Sequence, residues 1–250
     1  MLAGLLEIDM KLVDDKNMAG TVAGFHFSAV RPETLGATEY TLVTLVLDKT
    51  GSVSSFAKEL FNIKKTVVEA CRKSPRAEFL LLRVVEFNSA VDEVHGFKPL
   101  AEIDTASYAT PRCGGLTALA DATFAAVSAS NAYGKTLSDQ DYLANALVII
   151  ATDGNDNASR TTVMDLKAEM AKAVAAEHLE SLRTVLVGIN AGQCRNSLES
   201  FKNDAGLDQY VDVADATPQR LAKLADFVSR SISAQSQSLG TGGPSQALTF

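Results

Sequence analysis

Residues 40–52 read YTLVTLVLDKTGS, and this stretch sets the architecture of the chain. From Tyr40 to Leu47 the run is rich in Thr, Val and Leu, which predicts a buried strand. The strand ends at Asp48. Lys49-Thr50-Gly51-Ser52 then turns the chain toward a helix starting near Val53, in which Phe56, Leu60, Ile63, Val67 and Cys71 recur at helical spacing. Outward from this unit the same alternation continues. Phe79–Phe87 (FLLLRVVEF) reads as a second strand, and Ala90–Phe97 as its pairing partner at the sheet edge. A glycine loop, Gly114-Gly115-Leu116-Thr117, leads into a helix from about Ala118 to Ala132. Leu147–Ala151 is the next central strand, and it runs into Thr152-Asp153-Gly154. Thr162 opens an alanine-rich helix, with Asp165 placed for a capping box. Thr184–Gly188 and Tyr210–Val213 are further strands, and Leu221, Leu224, Val228 and Ile232 mark a last helix.

This order predicts an α/β fold: a doubly wound, mostly parallel central sheet with helices on both faces. The domain is expected over residues 40–234, after an N-terminal extension (1–39) and before a flexible Gly/Ser/Gln-rich tail (235–250). Within the extension, Thr21–Val30 reads as a strand and Arg31-Pro32 as a turn into the domain. Ligands of such sheets bind beyond the carboxyl ends of the strands. Asp48 and Asp153 both fall there.

The 250 residues suffice for one full-sized core, and 46% hydrophobic content with mean hydropathy +0.07 describes a globular chain. A net charge of −7 argues against a broad nucleic-acid or anionic-membrane surface. No apolar run approaches the roughly 20 residues needed to cross a bilayer, and the first residues lack the pattern of a secretory signal. Cys71, Cys113 and Cys194 are odd in number and lack zinc spacing, so they read as reduced thiols in the cytoplasm. His26, His95 and His178 are scattered and lie in no nucleophile motif.

Asp48, Thr50, Ser52, Thr117 and Asp153 therefore stand out as candidate metal ligands. They offer two carboxylates and three hydroxyls, with no thiolate or imidazole. Such hard oxygen donors suit Mg²⁺ or Mn²⁺ and suit zinc poorly. Gly51 is expected to ease the turn after Asp48, Gly114 and Gly115 to let the second loop fold close, and Gly154 to complete the third loop. Asp153, Asn155 and Asn157 imitate the start of an EF-hand, but Ala158 and Met164 replace its required glycine and glutamate.

The three motifs in this order resemble the metal-ion-dependent adhesion site (MIDAS) of von Willebrand factor A domains: DxSxS, a glycine loop with Thr, then TDG. The resemblance covers about Tyr40 to Ser233, with Thr50 standing where the family has its first serine. It implies that Thr50 and Ser52 bind the metal directly and that Thr117 binds it directly or through water. Asp48 and Asp153 would supply charge through bound waters, and an acidic side chain of a protein partner would take the open coordination position. The resemblance to cytoplasmic bacterial and phage members further implies a partner in a multi-protein or AAA+ ATPase-linked assembly, and no enzymatic activity.

Asp48-Lys49-Thr50-Gly51-Ser52 is also similar to the DKTGT motif of P-type ATPases and haloacid-dehalogenase-like phosphatases. There the aspartate is a phosphoryl-accepting nucleophile. In that reading Ser89 supplies a second hydroxyl and Lys135 a phosphate-binding amine. Lys135, however, falls in what reads as a polar loop, and the glycine loop is left without a role. A metal-free scaffold of the same fold is the third reading.

Overall fold

The computed structural model describes residues 11–175, 177–242 and 248–250. Residues 1–10 of the expected extension and 243–247 of the expected tail lie outside the described residues. The elements in chain order are β1 (Lys11–Leu12), β2 (Asn17–Val22), β3 (Phe25–Val30), β4 (Glu39–Asp48), α1 (Ala57–Arg72), β5 (Leu80–Phe87) and β6 (Val91–Pro99). They continue as α2 (Leu119–Ser138), β7 (Leu143–Thr152), α3 (Val163–Ala175), β8 (Leu182–Ile189), α4 (Arg195–Ala205), β9 (Gln209–Val213) and α5 (Pro218–Thr241).

One sheet runs in the order β1-β2-β3-β6-β5-β4-β7-β8-β9. The strands from β5 through β9 in that order are parallel to their neighbours, whereas β6 is antiparallel to β5. β4 lies at the centre, aligned with β5 from Thr41–Leu80 to Asp48–Phe87 and with β7 from Glu39–Leu143 to Leu47–Ala151. Alternate residues of each strand face opposite layers. Val43 and Leu45 of β4 meet Leu60 and Val67 of α1 and Leu224 and Val228 of α5. Val46 and the β7 residues Val148 and Ile150 meet Leu119 and Ala126 of α2, with Leu166 of α3 and Leu198 of α4 beside them. The doubly wound layout expected from the sequence is thus observed. Among the described residues no helix is long and apolar enough to cross a membrane.

Several details differ from the sequence expectation. Ala90–Phe97 is not an edge: β6 has β3 on its far side, bridged at Ala29–Phe97. Thr21–Val30 is two strands, because Ala23 and Gly24 take positive φ (49° and 87°) and fold the chain into a hairpin. The segment before the domain therefore enlarges its sheet. The helix after Ser52 also starts later than expected. A 3-10 turn fills Ser52–Phe56, and α1 proper begins at Ala57.

α5 runs to Thr241, seven residues into the stretch read as a flexible tail. The cause is buried polar pairing. Asn145 donates to the Gln235 carbonyl (2.8 Å), and the Gln235 amide donates to the Ala146 carbonyl (3.2 Å) and to Ser181 Oγ (2.9 Å). Arg76 donates to Ser236 Oγ (2.9 Å) and pairs with Glu39. Polar residues that suggest a solvated tail are here the inner face of a helix.

Candidate metal centre

β4 and β7 end side by side, which brings their two motifs together. Asp48, only 1% exposed, accepts hydrogen bonds from the Thr50 backbone N–H (2.7 Å) and from Thr152 Oγ1 (2.6 Å). The first of these closes the turn after β4. Thr50 Oγ1 lies 2.9 Å from Ser52 Oγ, and Ser52 Oγ donates to Asp153 Oδ1 at 2.7 Å. Oxygens from Asp48 to Asp153 are thereby linked across two strand ends. Asp48 and Thr50 lie at the buried base, Ser52 is exposed, and Asp153 is half-buried.

The second loop is held from both sides. Gly114 N–H donates to the Lys49 carbonyl (2.9 Å), and Asn88 donates to the Gly114 carbonyl (2.8 Å). Leu116 N–H donates to Ser89 Oγ (2.8 Å). Thr117 N–H donates to Asn157 Oδ1 (2.8 Å), and the Thr117 carbonyl accepts from Asn157 N–H (2.9 Å). Asp156 accepts from Ala120 N–H (2.7 Å), so the loop after β7 caps the start of α2. A Cβ on Gly154 would lie 3.7 Å from Thr117 Oγ1, which brings that hydroxyl to the same rim.

The glycines are not equivalent. Gly115 has φ +83°, and a Cβ there would stand 2.9 Å from Ser89 Oγ, so the position requires glycine. Gly51 has φ −61°, ψ −32°, a conformation open to any residue, and a Cβ there meets nothing within 4 Å. Its expected easing of the turn is not needed. Gly114 and Gly154 also have room for a side chain. Sequence reading missed Asn88 altogether and gave Ser89, Asp156 and Asn157 no part in this centre; all four act by bonding backbone groups of another loop, a role with no motif of its own.

Electrostatically the centre is an unneutralised acidic pair. Burial raises the Asp48 carboxyl above its ordinary range, partly offset by the Thr152 and Thr50 hydrogen bonds. Burial also raises Asp153, and the nearby Asp48 charge adds to it. Among the described residues neither carboxylate forms an ion pair; Lys49, between the motif residues, is turned to Asp92 at 2.6 Å. No group of three or more His, Cys, Asp and Glu side chains that could hold a metal gathers among the described residues, and the side-chain oxygens beside the two carboxylates are the Thr and Ser hydroxyls. Two clustered carboxylates with three adjoining hydroxyls and no cation of their own fit a small, hard divalent cation.

The phosphatase-like arrangement is not assembled. Lys135, expected in a loop, lies in the last turn of α2 and pairs with Asp139 at 2.6 Å. Lys135 lies 16 positions along α2 from Leu119, a rise of about 24 Å. Ser89 Oγ is engaged by the glycine loop.

No protein-family model matches the chain, and no curated protein matches it in sequence. Solved structures do. The pilus adhesin SpaC from Lactobacillus rhamnosus GG superposes with TM-score 0.56 at 12% identity, over 91% of this chain and 34% of that one. The PilB minor pilin from Streptococcus sanguinis gives 0.52 at 13% identity, over 96% and 80%. Proximal thread matrix protein 1 from the mussel byssus, in a structure with a zinc-occupied MIDAS motif, gives 0.51 at 17% identity. That match covers 78% of this chain, which spans only 46% of the mussel protein. Identities this low speak to architecture alone, and together with the strand order they establish a von Willebrand factor A-like fold for this chain.

Proposed function

We propose that the chain is a metal-dependent protein-binding module. The observation that carries this reading is the linked oxygen set Asp48–Thr50–Ser52–Asp153 at the ends of the two central strands, with Thr117 on the same rim. Thr50, Ser52 and Thr117 would hold Mg²⁺ or Mn²⁺, and Asp48 and Asp153 would balance its charge. When bound, the ion supplies an open Lewis-acidic position for a carboxylate of the partner. The three free cysteines suit a reducing compartment, and the partner in this reading is a subunit of a cytoplasmic multi-protein or AAA+ ATPase-linked assembly. Residues 11–30, paired onto the sheet, and the end of α5 would be its further contacts.

The test is a thermal melt in EDTA against Mg²⁺ or Mn²⁺. At a metal concentration of a hundred times Kd the gain is about 2.7 kcal/mol. For a domain of this size that corresponds to roughly 5–10 °C in Tm. Thr117→Ala should shrink the gain while changing the EDTA melt little. A gain untouched by Thr117→Ala would move the reading toward Asp48 as a phosphoryl-accepting nucleophile, and no gain at all would favour a metal-free scaffold.

A further inference from the structure

The chain has ten arginines, and eight of them are in ion pairs: Arg31, Arg72, Arg76, Arg83, Arg183, Arg195, Arg220 and Arg230. The other two, Arg112 and Arg160, form none among the described residues; both are exposed, Arg112 on the loop that leads to Thr117 and Arg160 on the loop between Asp153 and α3. Arg112 is two residues before Gly114, on the loop whose Gly114 N–H donates to the Lys49 carbonyl. Arg160 lies on the loop after β7, seven residues beyond Asp153. Its backbone N–H donates to Asp121, in the first turn of α2 that follows Thr117 (3.1 Å). It also lines a cleft of about 530 Å³ between the β2–β3 turn and Ser89, the residue that holds Leu116. Leu116, between the two arginines in sequence, is 57% exposed, and Met164 on the first turn of α3 is 82% exposed.

A guanidinium is suited to pairing with carboxylates, and each of the other eight arginines contacts at least one. At −7 overall, the molecule repels acidic partners except where positive charge is local. Exposed arginines without an ion-pair partner among the described residues, carried on the loops that hold Thr117 and Asp153, are therefore complementary to a ligand with more than one negative group. The apolar Leu116 and Met164 add contact area to that ligand and favour a polypeptide over a bare anion.

We propose that Arg112 and Arg160 recognise a multiply acidic segment of a protein partner, each taking a carboxylate that flanks the one delivered to the metal centre. This rests on the metal-binding reading above and adds to it the partner's chemistry: a cluster of Asp or Glu, not a lone acidic residue.

The experiment is a fluorescence-polarisation titration of the full chain with two labelled peptides in a Gly/Ser/Leu frame, one carrying a single Asp and one carrying three. It is run in Mg²⁺ and in EDTA, for wild type, Arg112→Gln, Arg160→Gln, the double variant and Arg220→Gln as a remote control. In Mg²⁺ the three-Asp peptide should bind wild type more tightly than the one-Asp peptide. Each variant should reduce that advantage by up to about fivefold, the range of an exposed ion pair, and the double variant should remove it. Arg220→Gln should leave it intact, and all variants should keep the Mg²⁺ melting gain. Equal binding of the two peptides, an advantage that survives the double variant, or no peptide binding at millimolar concentration would each overturn the inference. Displacement by an equal concentration of inorganic phosphate would overturn it in favour of a phosphorylated ligand. Failure of the metal reading shows separately, as a wild-type melt indifferent to Mg²⁺.

Discussion

In EDTA at neutral pH, Asp48→Asn should melt at or above the wild-type temperature, and in saturating Mg²⁺ the order should reverse. The asparagine keeps the local hydrogen bonding: its oxygen accepts from Thr50 N–H, and its amide donates to Thr152 Oγ1, the hydroxyl that donates to Asp48 in wild type. What it removes is a buried charge. Because burial raises the Asp48 carboxyl above its ordinary 3.8, the native chain takes up this proton more readily than the unfolded chain. The group's stabilising contribution is therefore complete below pH 3.8 and is lost as pH rises through the raised native value. Metal-free wild type should lose stability over that rise, and the Asn variant should lose less. With metal the same charge becomes an asset. Wild type should gain the roughly 2.7 kcal/mol available at a hundred times Kd, and the variant should lose most of it. Parallel pH–stability curves for the two proteins in EDTA, or an equal Mg²⁺ gain, would contradict this account.

Arg83→Ala should be among the most damaging single changes, costing about 3–5 kcal/mol. Arg83 is 1% exposed, and its Nε donates to Glu93 Oε2 at 2.6 Å. The other Glu93 oxygen accepts from Ser28 N–H (2.9 Å) and Ser28 Oγ (2.6 Å), so a buried cation on β5 tethers β3 through a carboxylate on β6. Gly96 shows how closely β3 is drawn in, since a Cβ there would fall 2.0 Å from the Ser28 carbonyl oxygen. Deleting the guanidinium leaves Glu93 partly buried and unpaired. Urea unfolding measures the loss, and faster hydrogen exchange over residues 17–30 should accompany it. Substituting both partners, Arg83→Met with Glu93→Gln, should recover much of the stability. A loss under 1 kcal/mol, or no recovery in the double variant, would show that the pair does not hold the hairpin.

The central strands were legible because a strand covered on both faces is mostly apolar along its length, as in 40–47 and 147–151. The candidate site was legible for the same reason, since its carboxylates come at the ends of those runs. Polar residues in structural roles were not. Gln235 and Ser236 carry no hydrophobic signal, and their burial depends on Asn145, Ser181 and Arg76, all distant in sequence. The hairpin was half visible. Gly24 is a turn residue within an apolar run, but nothing in the sequence tells that β3 seeks β6. α4 is mostly polar, and only Leu198, Phe201 and Ala205 reach the core. Lys135 looked like a loop residue because small and polar residues dominate the end of α2, where neighbouring strands and loops supply the burial.

The separation between Ser52 and Asp153, 101 residues of chain joined by one hydrogen bond, has a consequence in time. Closing so long a loop is slow and entropically costly, so the rim can exist only once β4 and β7 are in register. No fragment of the chain presents it. A cation would find its site only after β4 and β7 have paired. By binding the assembled rim alone it would lengthen the lifetime of the native molecule, slowing its escape.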